Sequence, residues 1–186
     1  MNALVVNFYA GPGSGKTTLS AHTFAMLKWC NINCELAFEY AKDLVWSESF
    51  RTLDNQFYVF GKQQHRLYRL ADKVDVIITD APLLNSIHYD AKNDAVFRSM
   101  INQEYKKYEN LNFFVNRAKP YNPKGRIQTA EEAKLIDVSI LKILNTYDPD
   151  NYEYIPGNPE EVEKTIVPLI LERLEKRNEN ANSTNG

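Results

Sequence analysis

Near its start the chain reads Leu4-Val5-Val6-Asn7-Phe8-Tyr9-Ala10-Gly11-Pro12-Gly13-Ser14-Gly15-Lys16-Thr17-Thr18. The apolar half predicts a buried strand, the glycines predict a tight turn, and the residues from Lys16 onward predict a helix. Together they form a P-loop, whose backbone N–H groups wrap a polyphosphate at the positive end of the helix. The usual pattern G-x-x-x-x-G-K-[ST] begins with glycine where this chain has Ala10, a position at which a small residue suffices.

The P-loop predicts binding of a nucleoside triphosphate, which we take to be ATP, together with Mg²⁺. Lys16 is expected to reach the β- and γ-phosphates, and the Thr17 hydroxyl is expected to ligate Mg²⁺. The other residues expected to line the phosphates are Gly11, Pro12, Gly13, Ser14, Gly15 and Thr18. The motif by itself does not indicate where the terminal phosphate goes.

Apolar runs alternate with helical patterns along the rest of the chain, which predicts a parallel α/β sheet. The predicted strands cover residues 4–9, 34–38, 74–80, 111–115 and 152–155. The predicted helices cover residues 16–30, 56–74, 97–108, 129–144 and 159–176. We predict one three-layer domain over residues 1–176, with sheet order 2-3-1-4-5 and helices on both faces, followed by a disordered polar tail at 177–186.

Length and charge narrow the class of protein. The chain has 186 residues, enough for one domain with a substantial core. Its net charge is −2, so any contact with nucleic acid must come from a local basic patch. Because the sequence has neither an apolar span nor a basic, apolar leader, we expect a cytoplasmic protein without a membrane partner.

Asp80 ends the third predicted strand, at the sheet edge where the P-loop lies. A carboxylate there can hold Mg²⁺ directly or through water, although a turn residue before Ala81-Pro82 is the alternative. No glutamate follows Asp80, and the chain has no Asn-Lys-x-Asp sequence for reading guanine. These two absences argue against a mechanical ATPase and against a GTPase.

An acidic segment after the second predicted strand marks the side on which an acceptor would bind. Glu39 is the first candidate for orienting an acceptor hydroxyl and taking its proton, and Asp43 is the second. Tyr40 lies between them and is a candidate acceptor contact. The alternative is that these carboxylates only cap a helix.

A basic loop over residues 117–128 follows the fourth predicted strand. Four cations, hinged by proline and glycine, are typical of a lid that closes over phosphates: Arg117, Lys119, Lys124 and Arg126. The two arginines are the best candidates for stabilising a transferring phosphoryl group, because guanidinium groups bind phosphate bidentately. An ordinary solvated loop is the alternative.

A second basic feature lies on the predicted helix over 56–74. Lys62, Arg66, Arg69 and Lys73 recur at helical spacing and would share one face. Such a stripe can track a nucleic-acid backbone, and Gln63 beside it could hydrogen-bond a base. A solvated helix face explains the same pattern.

These segments, taken in order, resemble the small P-loop kinases of the nucleoside and nucleotide monophosphate kinase type, thymidylate kinases included. A closer resemblance is to bacteriophage kinases that phosphorylate 5-hydroxymethyluracil within DNA, a step in thymidine hypermodification. The stretches that carry it are Glu39–Trp46, Phe60–Gln63, Ile78–Leu84 and Lys119–Arg126. Thymidylate kinases carry Asp-Arg where this chain has Asp80-Ala81, which weakens the expectation of free dTMP as acceptor.

The resemblance implies an ATP- and Mg²⁺-dependent phosphotransferase that acts on a hydroxyl of a modified pyrimidine in DNA. Two other functions stay open at this point. One is a kinase of a free pyrimidine nucleoside or nucleoside monophosphate. The other is a nucleotide-dependent switch that hydrolyses ATP slowly without an acceptor.

Overall fold

The computed structural model describes residues 3–124 and 126–184, and of 181–184 it describes the backbone only. Within this part of the chain five parallel strands form one sheet in the order β2-β3-β1-β4-β5. The strands are β1 (Leu4–Tyr9), β2 (Cys34–Ala37), β3 (Val76–Thr79), β4 (Glu109–Asn116) and β5 (Tyr152–Pro156). The predicted α/β class and strand order are confirmed.

Helices cover both faces of the sheet. They are α1 (Lys16–Trp29), α2 (Tyr40–Trp46), α3 (Phe50–Leu53), α4 (Gln56–Tyr68), α5 (Asn85–Tyr89), α6 (Ala95–Tyr105), α7 (Ala130–Tyr147) and α8 (Val167–Thr184), with a π-helical turn at Val162–Ile166 before α8. None of these described helices is long and apolar enough to cross a lipid bilayer.

Strand β1 is buried along its whole length, as a central parallel strand should be. Leu4, Val6 and Phe8 face a core that contains side chains of α1 and α8. Val5 and Tyr9 face the opposite core, which contains side chains of α4, α6 and α7. The alternation of side chains along one strand thus builds the three layers.

A polar network interrupts the second of these cores. The buried Asn7 donates hydrogen bonds to the amide oxygens of Asn110 and Asn112, both at 3.0 Å. Asn112 then donates to Asp148 at 2.8 Å, and the Tyr105 hydroxyl donates to the same carboxylate oxygen at 2.5 Å. The network ties β1 and β4 to the ends of α6 and α7, and no local sequence signal pointed to it.

Among the element boundaries that differ from those expected, two concern residues discussed above. Helix α4 ends at Tyr68, and residues 69–73 form turns, so Lys73 lies outside the helix that was predicted to carry it. Helix α8 continues to Thr184, through residues 177–184 of the segment that was predicted to be a disordered tail. Arg177 pairs with Glu109 at the start of β4 at 3.2 Å, which anchors the helix beyond its apolar part. Residues 185 and 186 lie outside the described residues.

Candidate active site

The P-loop connects β1 to α1 in a conformation that requires glycine at two positions. Gly13 has φ 79° and Gly15 has φ 106°, values at which other residues are strained. The Lys16 ammonium folds back over the loop and donates to the carbonyls of Ala10 at 2.8 Å and Gly11 at 2.9 Å. Desolvation lowers the pKa of Lys16, while the nearby carboxylates of Glu39, Asp80 and Asp137 oppose the shift.

Thr17 and Asp80 meet at the edge of the sheet, as the sequence predicted. Thr79 pairs with Asn7 of β1, and this register places the residue after β3 against the start of α1. The Thr17 hydroxyl donates to Oδ2 of Asp80 at 2.5 Å. Asp80 is only 3% exposed, and its buried Oδ1 has no hydrogen-bond partner among the residues that the structure describes.

The Thr17 and Asp80 oxygens fit Mg²⁺, the cation that a P-loop fold implies. Mg²⁺ prefers a carboxylate and hydroxyl or water oxygens, and a buried carboxylate oxygen without a partner calls for a cation or a donor. Thr17 and Asp80 are therefore the residues of this site that could hold Mg²⁺.

A cavity of about 620 Å³ opens on the β2 side of the P-loop. It brings together most of the residues that the sequence assigned to the metal and the acceptor. Its lining consists of Thr17, Leu36, Phe38, Glu39, Lys42, Asp43, His65, Arg66, Arg69 and Asp80. Carboxylates lie at its inner end beside the P-loop, and cations of α4 and the following turn lie around it.

Glu39 and Asp43 have different surroundings within this cavity. Glu39 directly precedes α2, and burial raises the pKa of its carboxyl, with Asp80 adding to the shift and Lys16 opposing it. Asp43 is 60% exposed at its side chain and is paired with Arg66 at 2.6 Å. Glu39 therefore has the properties of a proton acceptor, whereas Asp43 forms an ion pair at the surface.

Aromatic and basic side chains form a cluster that adjoins the larger cavity through Arg66, which lines it. The Tyr40 and Tyr58 rings meet edge to face at 5.9 Å, and their hydroxyls are 3.4 Å apart. Arg66 lies over Tyr40 and Lys62 over Tyr58, each 5.3 Å from the ring centre. We call these four residues the aromatic–basic cluster. Such a surface suits the bases and phosphates of a nucleic acid.

Gln63 corrects one sequence prediction. It was expected to contact a base, but it is only 5% exposed. Its amide oxygen accepts from the backbone N–H of Tyr40 at 3.0 Å, and its nitrogen donates to the Thr79 hydroxyl at 3.5 Å. Gln63 thus joins α4 to the segment next to Glu39 and to the end of β3, which are two segments that contribute to the cavity.

A smaller cavity of about 160 Å³ lies on the other side of the P-loop. The loop after β5, the P-loop glycines and part of the basic loop line it together, with Lys119, Asn122 and Arg126 contributed by the basic loop. The exposed Arg126 lies over the Tyr121 ring at 5.7 Å and donates to the carbonyl of Asn122. Lys124 is exposed and lines neither cavity, so the structure does not bring it to the site.

Gly157, which the sequence analysis missed, allows this second cavity to form. An added Cβ there would lie 2.6 Å from the carbonyl oxygen of Ser14 and 2.9 Å from that of Asn116. Only glycine lets the loop after β5 approach the P-loop so closely. A glycine directly after a predicted strand was the available signal.

Arg117 lies beside the P-loop, and its guanidinium group is hydrogen-bonded to other residues of the protein. It forms a bidentate ion pair with Asp137 of α7, with contacts of 2.6 and 3.1 Å, and donates to the carbonyls of Pro12 at 2.7 Å and Ala133 at 3.1 Å. Its assignment as a ligand of the transferring phosphoryl group stays a prediction. Asp137 was missed because its signal is only a polar residue among the buried positions of α7, which are Ala133, Ile136, Ile140 and Leu144.

The comparisons with known proteins concern the fold. No protein-family model matches the chain, and no curated protein sequence is significantly similar to it. The structure is similar to that of thymidylate kinase from Ehrlichia chaffeensis, with a TM-score of 0.59 and 15% sequence identity over 92% of this chain and 100% of that one. The chain has the thymidylate kinase-like P-loop fold. In this fold the P-loop of the present chain separates the two cavities, and Glu39, Thr17 and Asp80 lie on the same side of it.

Proposed function

We propose that this protein is an ATP-dependent kinase that transfers the γ-phosphate to the hydroxyl of 5-hydroxymethyluracil in DNA. The observation that carries the proposal is the placement of the P-loop between two cavities, with Glu39 in the larger one. A nucleotide held in the smaller cavity would direct its terminal phosphate across the P-loop toward an acceptor in the larger one. Phosphoryl transfer needs this in-line arrangement of donor and acceptor.

Each residue then has a defined task. Lys16 and the P-loop N–H groups hold the β- and γ-phosphates, and Thr17 and Asp80 hold Mg²⁺. Bound Mg²⁺ supplies charge neutralisation at the phosphates. Glu39 accepts the proton of the acceptor hydroxyl. The hydroxyl oxygen bonds to the γ-phosphorus as the bond between that phosphorus and the leaving ADP oxygen breaks. Arg126 lines the smaller cavity, as Lys119 does, and would stabilise the transferring phosphoryl group.

Two observations support a polymeric acceptor. The aromatic–basic cluster adjoins the larger cavity through Arg66 and can stack on bases and contact phosphates beyond the reacting nucleotide. Three of the four stretches that resemble the bacteriophage kinases also line the two cavities: Glu39–Trp46 and Ile78–Leu84 contribute to the larger one, and Lys119–Arg126 contributes to the smaller one.

A kinase of a free pyrimidine nucleoside or nucleotide is the second candidate. It is favoured by the structural similarity to an enzyme named as a thymidylate kinase. Against it stands Asp80-Ala81-Pro82, which lacks the arginine that thymidylate kinases carry after this aspartate.

The test is transfer of label from γ-labelled ATP to matched acceptors. These are an oligonucleotide containing 5-hydroxymethyluracil, the same oligonucleotide with thymine, and the free nucleosides and monophosphates. We expect label on the modified oligonucleotide alone, and none with Lys16→Ala. Label on a free nucleoside or monophosphate would establish the second candidate instead, and release as inorganic phosphate alone would indicate an ATPase switch.

A further inference from the structure

A partly buried ion pair lies against the start of the P-loop. The Asp137 Oδ1 atom accepts from the backbone N–H of Gly11 at 2.5 Å, and both of its carboxylate oxygens bond Arg117. Arg117 in turn donates to the carbonyl of Pro12 at 2.7 Å. One ion pair therefore holds two successive P-loop residues through a donor of one and an acceptor of the other.

The packing around this ion pair is close. The side chains of Arg117 and Asp137 are only 17% and 19% exposed. An added Cβ on Gly11 would lie 2.5 Å from the carbonyl oxygen of Ala133, so helix α7 packs directly on the P-loop backbone. A lone carboxylate here would repel a bound polyphosphate, but its pairing with Arg117 makes the unit neutral.

The position of the pair in the chain gives it a second consequence. Arg117 begins the basic loop over 117–128, and α7, which carries Asp137, begins just after that loop at Ala130. The ion pair thus connects Gly11 and Pro12 both to the residue that begins the basic loop and to the helix that follows this loop.

We infer that Asp137 is a positioning residue for nucleotide binding, acting with Arg117 to hold the start of the P-loop in its phosphate-binding conformation. Arg117 accordingly supports the P-loop rather than acting as a free cation of the basic loop. Because the P-loop is already held in this conformation, less free energy is spent on ordering it when the nucleotide binds. The inference rests on only one part of the proposed function, the binding of a nucleotide by the P-loop, and is independent of the acceptor.

The experiment measures the affinity of the full chain for ADP with Mg²⁺ by isothermal titration calorimetry, at a temperature at which each variant is folded by circular dichroism. We expect Asp137→Asn and Arg117→Gln each to weaken binding by about tenfold to a hundredfold, the loss usual for a charge-assisted hydrogen bond. Because the two residues act as a unit, the double variant should lose little more than either single variant. Glu131→Gln, on the exposed face of α7, is the matched control and should bind like the wild type.

A purely structural role makes a different prediction. In that case Asp137→Asn would melt at a lower temperature but bind ADP within about twofold of the wild type, and the inference would be overturned. Fully additive losses in the double variant would also overturn it. If Asp137→Asn does not fold, Arg117→Lys answers the question, since one ammonium keeps the charge but cannot contact Asp137 and Pro12 together.

Kinetics separate this inference from the proposed function. Asp137→Asn should raise the KM for ATP while leaving the KM for the acceptor unchanged. If the acceptor proves to be a free nucleotide, the ADP measurements keep their meaning. If wild-type protein and Lys16→Ala both fail to bind ADP, the proposed function itself is wrong.

Discussion

The Thr17 hydroxyl donates a 2.5 Å hydrogen bond to the Asp80 carboxylate, which joins the start of α1 to the end of β3. The second oxygen of Asp80 is buried, and within the described part of the chain it has no hydrogen-bond partner. One residue of the P-loop and one from the neighbouring strand thus form a small oxygen-rich site beside the larger cavity.

Thr17→Ala should lower the rate of phosphate transfer by about tenfold to a hundredfold and raise the Mg²⁺ concentration needed for half-maximal rate. The reason is the loss of one hydroxyl ligand and of the bond that orients Asp80. Thr17→Ser keeps the hydroxyl and is the control. Equal Mg²⁺ dependence in the alanine and serine variants would contradict the assignment.

Glu39→Gln should reduce kcat by about 10²- to 10⁴-fold, the contribution typical of a positioned general base. Because burial raises the pKa of the Glu39 carboxyl above its ordinary value of 4.5, the wild-type rate should rise with pH over a limb that lies above pH 4.5. The pH profile of kcat/KM checks this. A limb that persists in Glu39→Gln would show that another group titrates.

The same substitution should stabilise the protein at neutral pH. The folded state holds the Glu39 proton to a higher pH than the unfolded chain, since burial raises the pKa of this carboxyl. The stability it contributes is therefore present below pH 4.5 and is lost as the pH rises through the folded-state pKa. In thermal melts from pH 4 to pH 8, the melting temperature of Glu39→Gln should rise relative to that of the wild type as the pH increases. A difference in melting temperature that does not change with pH would contradict this.

Lys62→Gln and Arg69→Gln should weaken binding of a single-stranded oligonucleotide without changing the KM of a free nucleoside. Each lost phosphate contact should reduce the slope of log affinity against log salt by about 0.7. Fluorescence anisotropy at several salt concentrations measures this slope. Lys73→Gln removes an exposed lysine outside α4 and serves as the control. Identical slopes for all variants would argue against a polymeric acceptor.

Asp148→Ala should destabilise the protein by about 1–3 kcal/mol, because the buried Tyr105 hydroxyl loses its acceptor. The amide groups of Asn112 and Asn151 each lose one of their acceptors as well. Urea unfolding measures the change in the free energy of unfolding, with the exposed Asp72→Ala as control. Equal stability of the two variants would mean that the network contributes little.

Much of the site was predictable because its signals are local. The glycine spacing of the P-loop, the apolar run before it and the carboxylates that follow β2 and β3 each lie within a few residues of a strand end. Parallel strands carry their carboxyl ends to one edge of the sheet, so Thr17, Glu39 and Asp80 had to meet there. The alternation of strands and helices predicts a parallel sheet, and the order of its strands is what the resemblance to P-loop kinases implies.

The residues that were missed or misassigned depend on contacts between distant segments. Gln63 resembles any exposed glutamine on a helix until α4 packs on the sheet and buries it against Tyr40 and Thr79. Helices α2, α3 and α5 are too short to show a period in the sequence. Helix α8 continues past its apolar positions through contacts such as the one between Arg177 and Glu109.

The sequence by itself determined that this protein carries a P-loop on a parallel sheet, because strand period, glycine spacing and the lysine that follows are properties of adjacent residues. Only the tertiary structure decided which charged side chains pair with each other beside the P-loop. Arg117 and Asp137 are 20 residues apart, and Asp137 is 126 residues from Gly11. A carboxylate becomes a support for the P-loop only when folding removes it from water and supplies a guanidinium partner and a backbone N–H together.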